Sequence, residues 1–345
     1  MINKLMVTLV LAWAVLFARQ ANCETTGTTL RIATVAPAGS SFHKHLVALG
    51  AEWNKGPGSP RMDIYPGTQG GEPQIVRRLR VGQIQGAMLT AIGLAEIDRS
   101  VTALQYMPMM FRDWAEVDAA RESVRADLES RMAAAGYVVL FWGDAGWVRY
   151  FSSTPVRRPA DLRPLRVYAS TGDQSSVQML NAYYKPVVLD PDKLLLGLRN
   201  GMLDAVPLPA FLANFTQVPS YAPYMLDLNW APIVGALVVT KKSWDALDPA
   251  TRDWLRSTSE RAGQTIRAAS RAEDDAAIAA MREKQGLKVV TPTAAELEEW
   301  RITVSAAYPE IRGHIVPAPT YDAVLQALTT HRAKVAFSRP TLPGQ

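Results

Sequence analysis

The chain is poor in the residues that most often carry chemistry. Its 345 residues include one cysteine, Cys23, and four histidines, His43, His45, His314 and His331. A single cysteine excludes an internal disulfide, and two histidines spaced i, i+2 fall on different faces of a helix, so His43 and His45 make a poor metal pair. No Gly-x-Ser-x-Gly elbow, phosphate loop or Cys-x-x-Cys occurs, and esterase, nucleotide and thiol-redox chemistry therefore lack their usual signatures. Long hydrophobic runs are missing too. The longest, residues 5–18, falls short of the roughly 20 that a bilayer span needs. Charge of one sign is not concentrated: the net +5 comes from lysines and arginines interleaved with acids, whereas a nucleic-acid binder shows a basic face. No catalytic residue, cofactor, metal or nucleic-acid partner is expected.

What is present begins with a basic stretch ending at Lys4, the apolar run, and small and polar residues up to Glu24. This is the anatomy of a secretory signal peptide, residues 1–23, and it predicts a periplasmic protein. Small residues at Ala21 and Cys23 suit cleavage before Glu24. The alternative, a lipid anchor on Cys23, fits the preceding Gln20-Ala21-Asn22 poorly. About 320 remaining residues exceed one comfortable core, so two lobes are expected.

Residues 29–35 (TLRIATV) read as a strand, followed from about Ser41 by a helix with Leu46, Leu49 and Trp53 on one stripe. Strands at 61–65 and 85–90 flank a helix through Ile75, Val76 and Leu79 that stops at Gly82. A helix over 114–135 follows, then strands near 137–142, 165–169, 186–189 and 204–208, with short helices at 173–182 and 192–200. Strands alternating with helices predict an α/β fold with a mostly parallel sheet covered on both faces. Residues 233–240 (IVGALVVT) are apolar throughout and should be buried on both sides. Asp248-Pro249 caps a helix that meets no breaker before Gly286. At 1.5 Å per residue it would run roughly 50 Å, far enough to cross both lobes. Helices over 293–307 and 320–334 close the chain before a flexible tail at 336–345.

Four stretches in this order carry a family resemblance: Tyr65-Pro66-Gly67-Thr68-Gln69-Gly70-Gly71; residues 159–167 (PADLRPLRV); residues 197–205 (GLRNGMLDA); and residues 243–249 (SWDALDP). Over nearly the whole mature chain the sequence resembles the solute receptors of TRAP transporters, the dicarboxylate-binding P-subunit family. The resemblance implies a two-lobed periplasmic-binding-protein-like fold with crossing hinge strands, one long helix along both lobes, and a ligand enclosed between them. It puts residues 27–146 and 234–274 in the first lobe and 147–233 and 275–335 in the second. The implied partners are a small-molecule carboxylate and the TRAP membrane subunits.

Family members hold a ligand carboxylate with arginine, whose planar guanidinium donates two parallel hydrogen bonds. In Gly146-Trp147-Val148-Arg149-Tyr150-Phe151 the matching residue is Arg149, for which a surface or interlobe ion pair is the alternative role. A second arginine position falls on Tyr168, with Arg166 two residues earlier on the same strand face, and an asparagine position falls on Leu208. Losing two polar anchors implies a largely apolar ligand with at most one carboxylate. Trp142, Trp147, Phe151, Phe211 and Trp230 are candidates to line the cleft, and core packing is the alternative for each. Asn229-Trp230-Ala231-Pro232 is similar to a branch that pairs with a tetratricopeptide-repeat protein. Two rival functions remain, a secreted enzyme and an assembly protein with a vestigial pocket.

Overall fold

The computed structural model describes residues 27–67, 70–181 and 184–338. The expected signal peptide, Cys23 and residues 339–345 lie outside them. Among the described residues no helix is long and apolar enough to cross a membrane.

Ten strands form one sheet: β1 (Thr29–Thr34), β2 (Arg61–Pro66), β3 (Gly86–Thr90), β4 (Tyr137–Ser152), β5 (Arg166–Ser170), β6 (Lys185–Leu189), β7 (Ala205–Pro209), β8 (Tyr224–Leu226), β9 (Ala231–Thr240) and β10 (Lys288–Val290). The order is β2-β1-β3-β9-β4-β7-β5-β6, with β8 joining β4 to β10. Two parallel triplets, β2-β1-β3 and β6-β5-β7, are the centres of the two lobes. They are joined by β9 and β4, which pair antiparallel with each other and with the inner edge of each triplet. The sheet is thus mixed, with its antiparallel members at the crossing. The apolar strand β9 is buried along nearly all its length, as its composition requires.

The main helices are α1 (Ser41–Trp53), α2 (Glu72–Arg80), α3 (Trp114–Ala134), α4 (Gln174–Asn181), α5 (Leu194–Arg199), α6 (Ala210–Phe215), α7 (Pro249–Lys284), α8 (Ala294–Ser305) and α9 (Ala318–Ser338). In α1 the expected stripe, with Phe42 added, is the buried face. The long helix α7 has 36 residues; Asp248 accepts from the Thr251 N–H at its start, and Gly286 follows its end at φ +69°. It packs on α1 of the first lobe, on β4, and on α6 of the second.

Three expectations change. The segments at 137–142 and 146–151 are one strand, β4, because bulges between Val139 and Phe141 and between Asp144 and Trp147 keep it paired with β9 throughout. The stretch 275–335 does not stay with the second lobe. Its last helix, α9, returns to the first, where Tyr321, Val324 and Leu328 share one cluster with Val117, Val124 and Leu128 of α3. Arg332 fixes this docking, with Nε and Nη2 donating to the two oxygens of Glu116 at 2.7 and 2.8 Å. A helix stripe shows that an apolar partner is needed, but not which one. Residues 336–338, expected as tail, complete α9.

Candidate functional site

The carboxyl ends of the two parallel triplets face each other, and the segments that leave them make the contacts between the lobes. From the first lobe comes Phe42 at the start of α1, which follows β1. From the second come Asp173, which follows β5, and Phe211, which follows β7. The Phe42 and Phe211 rings lie 5.4 Å apart, centre to centre, at 43°. The Tyr106 hydroxyl donates to Asp173 Oδ1 at 2.8 Å; within the first lobe, Ser41 Oγ donates to Glu273 Oε2 of α7 at 2.5 Å. Such a crevice is where α/β sheets bind ligands.

Arg149 lies on β4 directly opposite Leu208 of β7 and is 7% exposed. Its Nη1 donates to Asp274 Oδ2 at 2.6 Å, and its Nε, fully enclosed, has no hydrogen-bond partner among the described residues. Asp274 is held from two more directions: the Ala210 N–H donates to Oδ1 at 3.0 Å and the Trp147 N–H reaches Oδ2 at 3.5 Å. Asp274 therefore ties the long helix to β4 and to the start of α6, where the sheet passes between lobes. The ion pair that was the alternative role for Arg149 is formed, with Asp274. With Nη1 so engaged, Nε remains unpaired.

Tyr168, Leu208 and Phe151 join one cluster of the second lobe, against which Phe211 packs. Phe211 also packs against the first lobe's cluster around Phe42, so it bridges the two. Burial pushes the Tyr168 phenol up to about 12, and it stays a neutral donor. Arg149, Tyr168, Leu208 and Phe211 are thus brought into one neighbourhood.

The other candidates lie elsewhere or are packed in the core. Arg166 begins β5, at the opposite end of the strand from the crevice, and its Nε and Nη2 donate to both oxygens of Asp204 at 2.7 and 2.8 Å on the surface. It does not replace the missing arginine, because strand polarity sends it away from the crevice. Trp230 packs edge-on to Tyr150 and Trp300 at 5.3 and 6.0 Å, beside a cavity of about 10 Å³ that has room for roughly one water. Trp147 stacks on Trp114 at 4.7 Å and contributes its N–H rather than its ring. Trp142 is core as well, its Nε1 donating to Glu129 at 3.0 Å, and Phe151 is wholly buried. The larger recess, about 520 Å³, lies on the outer edge of the first lobe between α1 and β2, not beside Arg149.

The residue that inspection of the sequence missed is Asp274. Its signal was present: it falls in helical register with Ile266, Ser270, Ala277 and Met281, the buried face of α7, whereas a solvated carboxylate would lie off that stripe.

Asp173 also has an electrostatic role. Burial pushes its carboxyl above the usual range, against the pull of hydrogen bonds from Ser176 and Tyr106. Glu72, which accepts from the Thr90 N–H and hydroxyl and from the Gly93 N–H, is likewise pushed up by burial. The folded chain holds the Asp173 proton more tightly than the unfolded one. This contribution is fully present below the ordinary value of 3.8 and is lost as pH rises through the raised one. Asp173→Asn keeps an acceptor for Tyr106 and Ser176 while removing the titration. Its melting temperature should vary less than that of the wild type between about pH 4 and pH 7; parallel curves for the two proteins would refute this account.

The fold and the sequence together define the class. The chain belongs to the bacterial extracellular solute-binding proteins, family 7, whose model matches residues 32–313. It is 20% identical over 275 residues to the C4-dicarboxylate-binding periplasmic protein of Rhodobacter capsulatus, covering 78% of this chain and 81% of that one. Among solved structures it is similar to a TRAP periplasmic solute binding protein from Shewanella oneidensis with bound succinate (TM-score 0.80, 14% identity, 88% of this chain and 100% of that one). A Bordetella pertussis extracytoplasmic solute receptor binding pyroglutamic acid matches at TM-score 0.80 and 15% identity, covering 88% of this chain and 100% of that one. A Ralstonia eutropha protein with bound (S)-2-acetolactate matches at TM-score 0.80 and 20% identity, covering 88% and 99%. These likenesses establish the two-lobed fold.

Proposed function

We propose that this chain is an extracytoplasmic receptor that captures a small organic acid and delivers it to the membrane subunits of a TRAP-type transporter. One carboxylate meets Arg149, and a largely apolar body lies against Tyr168, Leu208 and Phe211. The observation that carries this reading is the buried Arg149 guanidinium with its unpartnered Nε, because a buried donor left unpaired costs about 1–3 kcal/mol that a ligand oxygen recovers. Succinate, pyroglutamic acid and acetolactate, named for the relatives, are all organic acids. The family consists of solute-binding proteins rather than enzymes, which supports a receptor without turnover.

The lobes meet through Phe42 and Phe211 and through Tyr106 and Asp173. Parting at these contacts would admit the ligand, with β4, β9 and α7 as the connections that bend. We place residues 27–146, 234–274 and 307–338 in the first lobe, and 147–233 and 275–306 in the second. Secretion through residues 1–23 would put the receptor in the periplasm. A tetratricopeptide-repeat partner rests on residues 229–232 alone, and Trp230 in that stretch is buried rather than offered to a partner.

Native mass spectrometry of protein purified without refolding identifies the ligand, and ligand-induced thermal stabilisation tests the site. A ligand at a hundred times its Kd stabilises by about 2.7 kcal/mol. Arg149→Ala should abolish that shift and Arg166→Ala should retain it. A C4 dicarboxylate recovered from the protein would overturn the apolar reading, and turnover of the ligand would overturn the receptor itself.

A further inference from the structure

We infer that Asp274 determines specificity in this site: by neutralising Arg149 from the long helix, it restricts the guest to a single carboxylate and disfavours dianions. The inference rests on the reading that a ligand acid meets Arg149, and it concerns a residue on the opposite side of the guanidinium.

Arg149 is engaged by Asp274 at 2.6 Å, so the pair is neutral before any ligand arrives. Adding one carboxylate gives a net charge of −1 around the guanidinium, and adding a second gives −2 in a water-poor crevice where like charges repel strongly. The lobe contacts described above supply no compensating cation. Arg166 is committed to Asp204 at the far end of β5, and the charged side chain at those contacts, Asp173, is an acid.

Geometry keeps Asp274 in place. It is 2% exposed, the Ala210 and Trp147 N–H groups hold its two oxygens, and Gly146 lies so close that a Cβ there would be 2.8 Å from Oδ1. Asp274 therefore cannot swing aside to let a ligand take both terminal nitrogens. A guanidinium presents more than one pairing edge. With Nη1 occupied, the edge carrying the enclosed Nε is the one left for a carboxylate, so Asp274 also sets the ligand's orientation.

The test uses matched probes that differ by one charge: succinate against succinamate, and adipate against adipamate. Titration calorimetry on the wild-type chain should show each monoamide binding about tenfold or more tightly than its diacid. Asp274→Asn, which keeps the size and one acceptor, should shrink or reverse that ratio while changing monoamide affinity less. A wild type that prefers the diacids, or a ratio unmoved by Asp274→Asn, overturns the inference and leaves the receptor reading intact. If the variant does not fold, the wild-type ratio decides alone. A wild type that binds neither these probes nor other monocarboxylates removes the Arg149 reading and this inference with it.

Discussion

Asp144→Ala should destabilise the protein by about 3–5 kcal/mol, as expected when one partner of a buried ion pair is deleted. Asp144 sits on β4 at 1% exposure. Its Oδ1 accepts from Arg121 Nη1 at 2.6 Å, and its Oδ2 from Arg271 Nε and Nη2 at 3.0 and 2.5 Å. Arg121 is itself 2% exposed, and Arg267 is close enough that burial and the Arg121 charge together push its pKa down. Deleting the carboxylate leaves these guanidinium groups facing one another with Asp118 as their remaining acid. The network joins α3, β4 and α7, so its loss loosens the long helix from the first lobe. Urea unfolding of the wild type, Asp144→Ala and Asp144→Asn measures the effect, with the asparagine expected to fall between the other two. A change below about 1 kcal/mol for the alanine would mean that water or repacking replaces the carboxylate.

Gly146→Ala should reduce both stability and ligand binding. Gly146 has φ +88°, and an added Cβ would lie 2.8 Å from Asp274 Oδ1 and 3.1 Å from Pro209 Cβ. The backbone strain alone costs about 1–3 kcal/mol. The contact with Asp274 adds to it, because the carboxylate that yields is the one holding Arg149. Gly82 provides the control: its φ is +74°, and nothing lies within 4 Å of the position a Cβ would take there. Gly82→Ala should therefore show the backbone cost with unchanged ligand binding. Thermal melts with and without ligand separate the two contributions. Equal behaviour of the two variants would show that the approach of Gly146 to Asp274 does not matter.

Much of the architecture was readable because its causes are local. The stripe of Leu46, Leu49 and Trp53 and the cap at Asp248 each act within a few turns of chain, and the helices appear where these signals place them. The strand expected near 137–142 continues through β4, because pairing with β9 spans the bulges. The 3-residue strands β8 and β10 were missed: so short a run has no periodicity to detect, and each exists through its neighbour. Of the expected site, Arg149, Tyr168, Leu208 and Phe211 share one neighbourhood. Arg166 and Trp230 do not, since distance along a strand and alternation across it do not say which end meets the crevice.

By itself the sequence determined which segments become helices and strands, and the motif order that resembles a solute receptor, because caps, turns and apolar periodicity are properties of neighbouring residues. Only the tertiary structure decided what Arg149 meets. Its carboxylate partner is 125 residues away, and the two come together because α7 crosses β4 where the sheet passes from lobe to lobe.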